Sequence, residues 1–488
     1  MDGAAADVAG VEEQQGGEAA SPLPRVDLPS QVGVVNVGLD LLADAVRQQG
    51  RPVVQVDWRI PAGGDPGAVA MLRRLFGPRA AAVDAANAEV VRRLDEGVPA
   101  LTGVEPASAA LPGLGERTVL HCGPPIAWEE MCDPLRRSVR AAVVVEGWAS
   151  EPAGVDPLVE RGEVRLEPAN HHRVVVPMAT AIGPSSPLQV VENPQGGTRA
   201  FSPVNQGPGE APWFGMDTPA AIKRLRLVRD VIGPVLAEVV RRGGPVDLAS
   251  LAGQGLQMGD DVHIRVQATT NLLIRQLLPH LAAVEGPQRV TVADFLSRNH
   301  LFVLNLAMAA ARSLTEWAAQ VEGSSVVTSM ARNGTTFGIR LAGCDRWFTA
   351  PAPSIGHALY HAGHGAEAGA SDIGDSAVLE LVGLGGAAAA GSPSVAAFLG
   401  GTMADALAAT EAMDRICVGR STRFRLPPAG FRGTPIGVDV RRVVETGVTP
   451  HITTGILHAS AGVGQIGAGV AVAPPSCFLE ALAALDAG

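Results

Sequence analysis

Residues Met258 to Arg265 read MGDDVHIR, which places two carboxylates, an imidazole and a guanidinium in six consecutive positions. The pattern predicts a helix over 258–281, on which Asp260 and His263, three apart, share a face with Arg265 beside it. A carboxylate that orients an imidazole next to a guanidinium can move a proton and hold an anion. The same residues also fit a structural role, with Asp260 capping the helix and His263 and Arg265 in ordinary hydrogen bonds. A second cluster lies in ARNGTTFGIR, where Asn333 and Gly334 predict a hairpin turn. Arg332 and Asn333 would stand at that turn, suited to a carboxylate or phosphate ligand. A third is DIGDSA, in which Asp372, Asp375 and Ser376 sit near an expected helix start, as caps or as ligand contacts. His361 and His364 precede it in YHAGHG, without the spacing of an HExxH metal site. No GxSxG elbow marks a covalent nucleophile, which favours direct transfer between two bound substrates.

These residues need elements to hold them. From Val32 an apolar run, VGVVNVG, is followed by the helical LDLLADAVRQQG and a second run, PVVQVDW, a strand–helix–strand unit. TVLHCG (118–123) and AAVVVEGW (141–148) read as two more buried strands, separated by a helical segment from near Ile126. Such alternation predicts a parallel sheet, whose ligands would sit at strand ends such as Gly38 and His121. Gly38 would let backbone approach a phosphate, and Asp57 stands where a ribose acid would, or as a structural strand-end acid. NVGL holds one glycine of the three in GxGxxG, so the dinucleotide signal is incomplete. After Pro157 short strand-like pieces begin, then helices over 218–242 with a kink at Pro234, 258–281 and 292–321. GVGQIGAG (462–469) could cradle a phosphate or allow close backbone packing.

The expected organisation is an acidic disordered tail (1–26), a Rossmann-like α/β domain (27–155), a mixed α+β region (156–215), a helical domain (216–322) and a glycine-rich α+β domain (323–488). The net charge of −11 argues against a surface built for nucleic acid or anionic membrane. Five dispersed cysteines without a CxxC pair argue against a disulfide framework or zinc ribbon, and the first twenty residues lack a signal-peptide pattern, so a cytoplasmic location is expected. Leu381 to Ala404 is uncharged and long enough to span a bilayer, but its Gly, Ala, Ser and Pro content predicts two buried pieces instead.

Taken in order, NVGLDLLADAVRQQGRPVVQVDWRIPAGGD, LHCGPPIAWEEMCDPLR, QMGDDVHIR, SMARNGTTFGIR, DIGDSA and FRGTPIGVDVRRVVETGVTPHITTGILHASAGVGQIGAG resemble the successive signatures of YlbE/YahG-like proteins. The resemblance covers nearly the whole chain after the tail. It implies a Rossmann-like N-terminal domain, two α+β parts and a small helical domain. For one branch, the AllG type, it implies a subunit of oxamate carbamoyltransferase in allantoin breakdown, assembled with an FdrA-like protein and a third subunit. That reaction interconverts oxalurate plus phosphate with oxamate plus carbamoyl phosphate. The chain departs from the pattern around YHAGHGAEAGAS, so His361 and His364 mark either a changed acceptor pocket or a variable loop. On this chemistry Arg265 and Arg332 would hold phosphate or carboxylate, His263 would handle the proton with Asp260 orienting it, and Asn333 would polarise the carbonyl. A divalent ion such as magnesium bridging the phosphate is compatible with it. The alternatives are a noncatalytic partner of an FdrA-like enzyme and, less well supported, a nicotinamide-dependent oxidoreductase. Homo- or hetero-oligomers are expected either way.

Overall fold

The computed structural model describes residues 33–56, 58–460 and 462–488. The expected tail 1–26 and Asp57 lie outside them. The described residues fall into two compact units, one ending at Arg59 and the other beginning at Ile60. In the first, the strands Val34–Val37 and Val53–Val56 pair in parallel, connected through the helix Asp40–Gln48. Gly38 makes the strand-to-helix turn at φ 126°, a conformation open to glycine and costly for other residues. Its carbonyl accepts from Nε2 of Gln55, and Nδ2 of Asn36 donates to Oε1 of Gln55, which ties the two strand ends together.

The second unit is mixed α/β, with several small sheets among many helices. Thr118–His121 lies between Arg165–Pro168, to which it is parallel, and Ala181–Ile182, to which it is antiparallel. A separate antiparallel sheet runs in the order Thr198–Pro203, Pro187–Asn193, Ala100–Pro106, Val246–Asp247. The parallel pairing expected of the N-terminal region is thus divided between two sheets in different units. Farther along, a sheet of Phe348–Pro351, Thr336–Leu341, Val327–Asn333 and Ile373–Gly374 contains the predicted Asn-Gly hairpin. Another joins Ile355–Tyr360, Gln465–Val472 and His451–Leu457. The helix Val303–Ala318 carries small and apolar residues on every side, so it is buried almost throughout and packs on both Pro187–Asn193 and Thr198–Pro203.

Several expected elements differ from those found. AAVVV (141–145) is the end of the helix Asp133–Val145, not a strand. Its valines continue the spacing of Leu135, Val139 and Ala142 after an Asp-Pro start, and burial outweighs their β preference. The helix expected over 258–281 begins only at Gln267, because Gly259, at φ 95°, turns the chain out of the preceding helix Leu248–Gln257. Residues 258–266 are a loop. The segment 292–321 is two helices, Gln288–Arg298 and Val303–Ala318, parted where Asn299 bonds across to Asn205. The irregularity near Pro234 is a π turn, Val228–Ile232, between two α-helices. GVGQIGAG opens a strand, and Gly467 packs so closely that a Cβ there would meet the Leu359 carbonyl oxygen at 2.5 Å. Close packing is therefore its role. The uncharged 381–404 stretch is broken into short turns and the helix Pro393–Leu399, and no helix among the described residues is long and apolar enough to cross a membrane.

Candidate functional site

The loop 258–266 is folded around Asp261. Its carboxylate accepts from the backbone N–H groups of His263, Ile264 and Arg265 at 3.1, 3.3 and 2.8 Å, and from the Thr453 hydroxyl at 3.0 Å. This cage holds Val262 at φ 61°, a left-handed conformation that a β-branched side chain adopts only at a cost of about 1–3 kcal/mol. The strain stands immediately before His263 and aims its ring.

His263 is buried, and its Nδ1 lies 2.8 Å from Oε1 of Glu380, which is also fully buried. That oxygen accepts as well from the N–H groups of Gly386 and Thr453, while Oε2 has no protein partner. Glycine at 385 is required for the pair to close: its φ is 58°, and a Cβ would stand 2.1 Å from Oε1 of Glu380 and 2.9 Å from Nδ1 of His263. With Nδ1 taken, Nε2 is the ring nitrogen left to use, and His263 lines a cavity of about 550 Å³. A carboxylate on one ring nitrogen fixes the tautomer and the orientation of the imidazole, the requirement for a general base that takes and later returns a proton through the other nitrogen.

Asp260 does not orient His263. Its carboxylate accepts from the N–H groups of Ala268 and Thr269 and from the Thr269 hydroxyl, so it caps the helix Gln267–Ala282 from seven residues before its start. Burial raises its pKa above the usual carboxylate value. Arg265 projects into the cavity wall, half-exposed, with Nε 3.5 Å from Asp260 and Nη1 3.3 Å from the Ser394 hydroxyl. A guanidinium at the start of a sixteen-residue helix, whose Gln267 also lines the cavity, suits an anion.

Arg332 is fully buried behind the wall. Nε and Nη2 form a bidentate pair with Asp372 at 2.7 and 2.8 Å, and Nη1 donates to the Gly374 carbonyl at 2.7 Å. Longer bonds reach Ser376 and Thr454, both of which line the cavity. The expected ligand-binding arginine thus shapes the wall from inside. Asn333 is not on that wall: its Oδ1 accepts from Thr335 and Thr336 across the hairpin turn, and its Nδ2 donates to the Pro124 carbonyl. Gly38 belongs to the first unit. His361 lines the cavity, whereas His364 packs edge-on against His458 at 5.8 Å.

Asp375 does not cap a helix. It is buried and accepts from the N–H groups of Gly123 and Val176 at 2.8 and 3.0 Å. Burial pushes its pKa up to about 6, against the opposing pull of those two donors and of Arg332. A raised folded pKa means a stability contribution that is present below pH 4 and lost as pH rises through 6. The loss amounts to roughly 3 kcal/mol, at about 1.4 kcal/mol per unit. Urea midpoints should therefore show wild type losing stability relative to Asp375→Asn between pH 4 and 7. Parallel pH profiles for the two proteins would contradict this.

Among the described residues, no group of three or more His, Cys, Asp or Glu is arranged to hold a metal ion. The cavity wall offers imidazoles, hydroxyls and amides rather than the carboxylates a hard cation such as magnesium prefers. The residues present do not fit such an ion.

Sequence reasoning missed Glu380. It is the one charged residue between Asp375 and Asp405, inside AVLELVGLGG, and a lone carboxylate in so apolar a run is a signal for a buried partner.

A family model described as oxamate carbamoyltransferase subunit AllG matches residues 164–376. The chain is 41% identical over 406 residues to the "Oxamate carbamoyltransferase subunit AllG" of Escherichia coli (strain K12), an alignment covering 82% of this chain and 97% of the relative. It is 35% identical over 455 residues to "Uncharacterized protein YahG" of the same organism, covering 92% and 96%. A solved structure, of a conserved protein of unknown function from Enterococcus faecalis V583, superposes with a TM-score of 0.81 at 35% identity, over 83% of this chain and 98% of that one.

Proposed function

The chain belongs to the AllG family, and from that premise we propose that it is a subunit of a multi-subunit oxamate carbamoyltransferase whose reaction takes place in the His263 cavity. The observation that carries the reading is the buried Glu380–His263 pair opening on a cavity whose wall includes Arg265. Its partners would be an FdrA-like protein and a third subunit. In the direction of transfer, the amide nitrogen of oxamate attacks the carbamoyl carbon of carbamoyl phosphate. The N–C bond forms, the C–O bond to phosphate breaks, and the amide proton passes to Nε2 of His263 and from there to the departing phosphate. Oxalurate and phosphate result. In phosphorolysis the same proton returns to the departing nitrogen. An amide is a poor nucleophile, so a positioned base is the group this chemistry needs most. Arg265, with the helix start behind it, holds the phosphoryl group, and Ser376 and Thr454, fixed by Arg332, bound the space around the carbonyl.

Arg265→Ala tests the reading in the assembled complex. The complex should form as before and lose affinity for carbamoyl phosphate by about ten- to a hundred-fold, the usual worth of a hydrogen bond to a charged group. Undiminished activity would move the chemistry to another subunit and leave this chain as a noncatalytic partner.

A further inference from the structure

Carbamoyl transfer brings two anions together, and the cavity has one guanidinium on its wall. Arg332, behind the wall, is committed to Asp372. A second chamber of about 400 Å³ adjoins the first, and the two share Phe214, His300, Leu301, His361 and Gln465. His300 and His361 therefore stand at the neck between them. His300 is presented by the break between the helices Gln288–Arg298 and Val303–Ala318, with its backbone carbonyl accepting from Thr270. His361 follows the strand Ile355–Tyr360 and is pinned by its N–H to the Ile466 carbonyl at 2.7 Å. Among the described residues neither imidazole ring has a hydrogen-bond partner, so two N–H donors face open space at one place. Glu210, on the outer chamber, is engaged by the Thr218 hydroxyl.

We infer that His300 and His361 form the carboxylate-binding end of the acceptor site, holding the short oxo-acid amide while Arg265 holds the phosphoryl group. This rests on the carbamoyl-transfer reading for its substrate and names the residues that select it. Two N–H donors on separate elements fix a planar carboxylate by orientation, and they leave the amide end for His263.

Initial rates of the assembled transferase, with oxamate and carbamoyl phosphate varied separately, test it. His300→Ala and His361→Ala should each raise the KM for oxamate by about ten-fold, and the double variant by more. Both kcat and the KM for carbamoyl phosphate should stay within about three-fold of wild type, and His361→Arg should recover most of the loss. Calorimetric titration of oxamate onto the complex reads the same site without turnover. A double variant with unchanged melting temperature and assembly that binds oxamate as tightly as wild type would overturn the inference. So would equal rises in both KM values. A wild-type complex that binds oxamate through these histidines yet transfers no carbamoyl group would instead overturn the parent reading.

Discussion

His263→Ala in the assembled enzyme is expected to lower kcat by about 10²- to 10⁴-fold, the range for loss of a positioned general base, with KM values within a few-fold of wild type. The reason is geometric. Nδ1 is occupied by Glu380, so removing the ring removes the one proton acceptor the buried pair presents to the cavity, while Arg265 and the neck histidines remain. Glu380→Gln should fall between wild type and His263→Ala. Glutamine keeps an acceptor for the ring N–H, but that hydrogen bond is neutral and weaker than one to a carboxylate, so the ring is held less firmly. Steady-state kinetics on the two variants would contradict the account if kcat held and only KM moved.

Arg332→Ala should act on stability first. It leaves Asp372 charged and unpaired in a fully buried site, and breaking such a pair costs about 3–5 kcal/mol. Replacing both residues, as in Arg332→Met with Asp372→Leu, should recover a substantial part, because Asp372 no longer leaves a buried charge without its direct partner. Urea denaturation of the single and double variants measures this. A stable Arg332→Ala protein with a raised KM for the anionic substrate would instead make Arg332 a direct ligand contact.

These two residues illustrate what was legible in the sequence. The clusters 258–265, 332–333 and 372–376 were visible as concentrations of chemistry, and parts of all three converge on the cavity or its supporting wall. The partnerships within them were not. Local spacing pairs Asp260 with His263, yet Gly259 and the strained Val262 make a loop, so helical periodicity has no hold there. The true partner, Glu380, is 117 residues away. It comes within reach only because Gly385 lacks a side chain, a packing fact that no single-sequence pattern encodes. Arg332 shows the complementary failure. A hairpin turn suggests an exposed residue, but tertiary burial against Asp372 and the 451–457 strand encloses it completely. At the level of elements, the hairpin and the strands at 34–37, 53–56, 118–121, 165–168 and 187–193 followed from Asn-Gly and apolar runs, whereas most strands of the glycine-rich last third did not. The valine run at 141–145 read as a strand because β-branched propensity is a weak guide beside burial on a helix.

The most direct measurement is the fate of carbon-13 in carbamoyl phosphate supplied with oxamate to the complex of this chain and its partner subunits. Mass spectrometry should find labelled oxalurate with wild-type chain, and a signal reduced toward the uncatalysed level with His263→Ala. Labelled oxalurate formed equally well by the His263→Ala complex, or not formed by wild type at all, would contradict the assignment of carbamoyl transfer to this cavity.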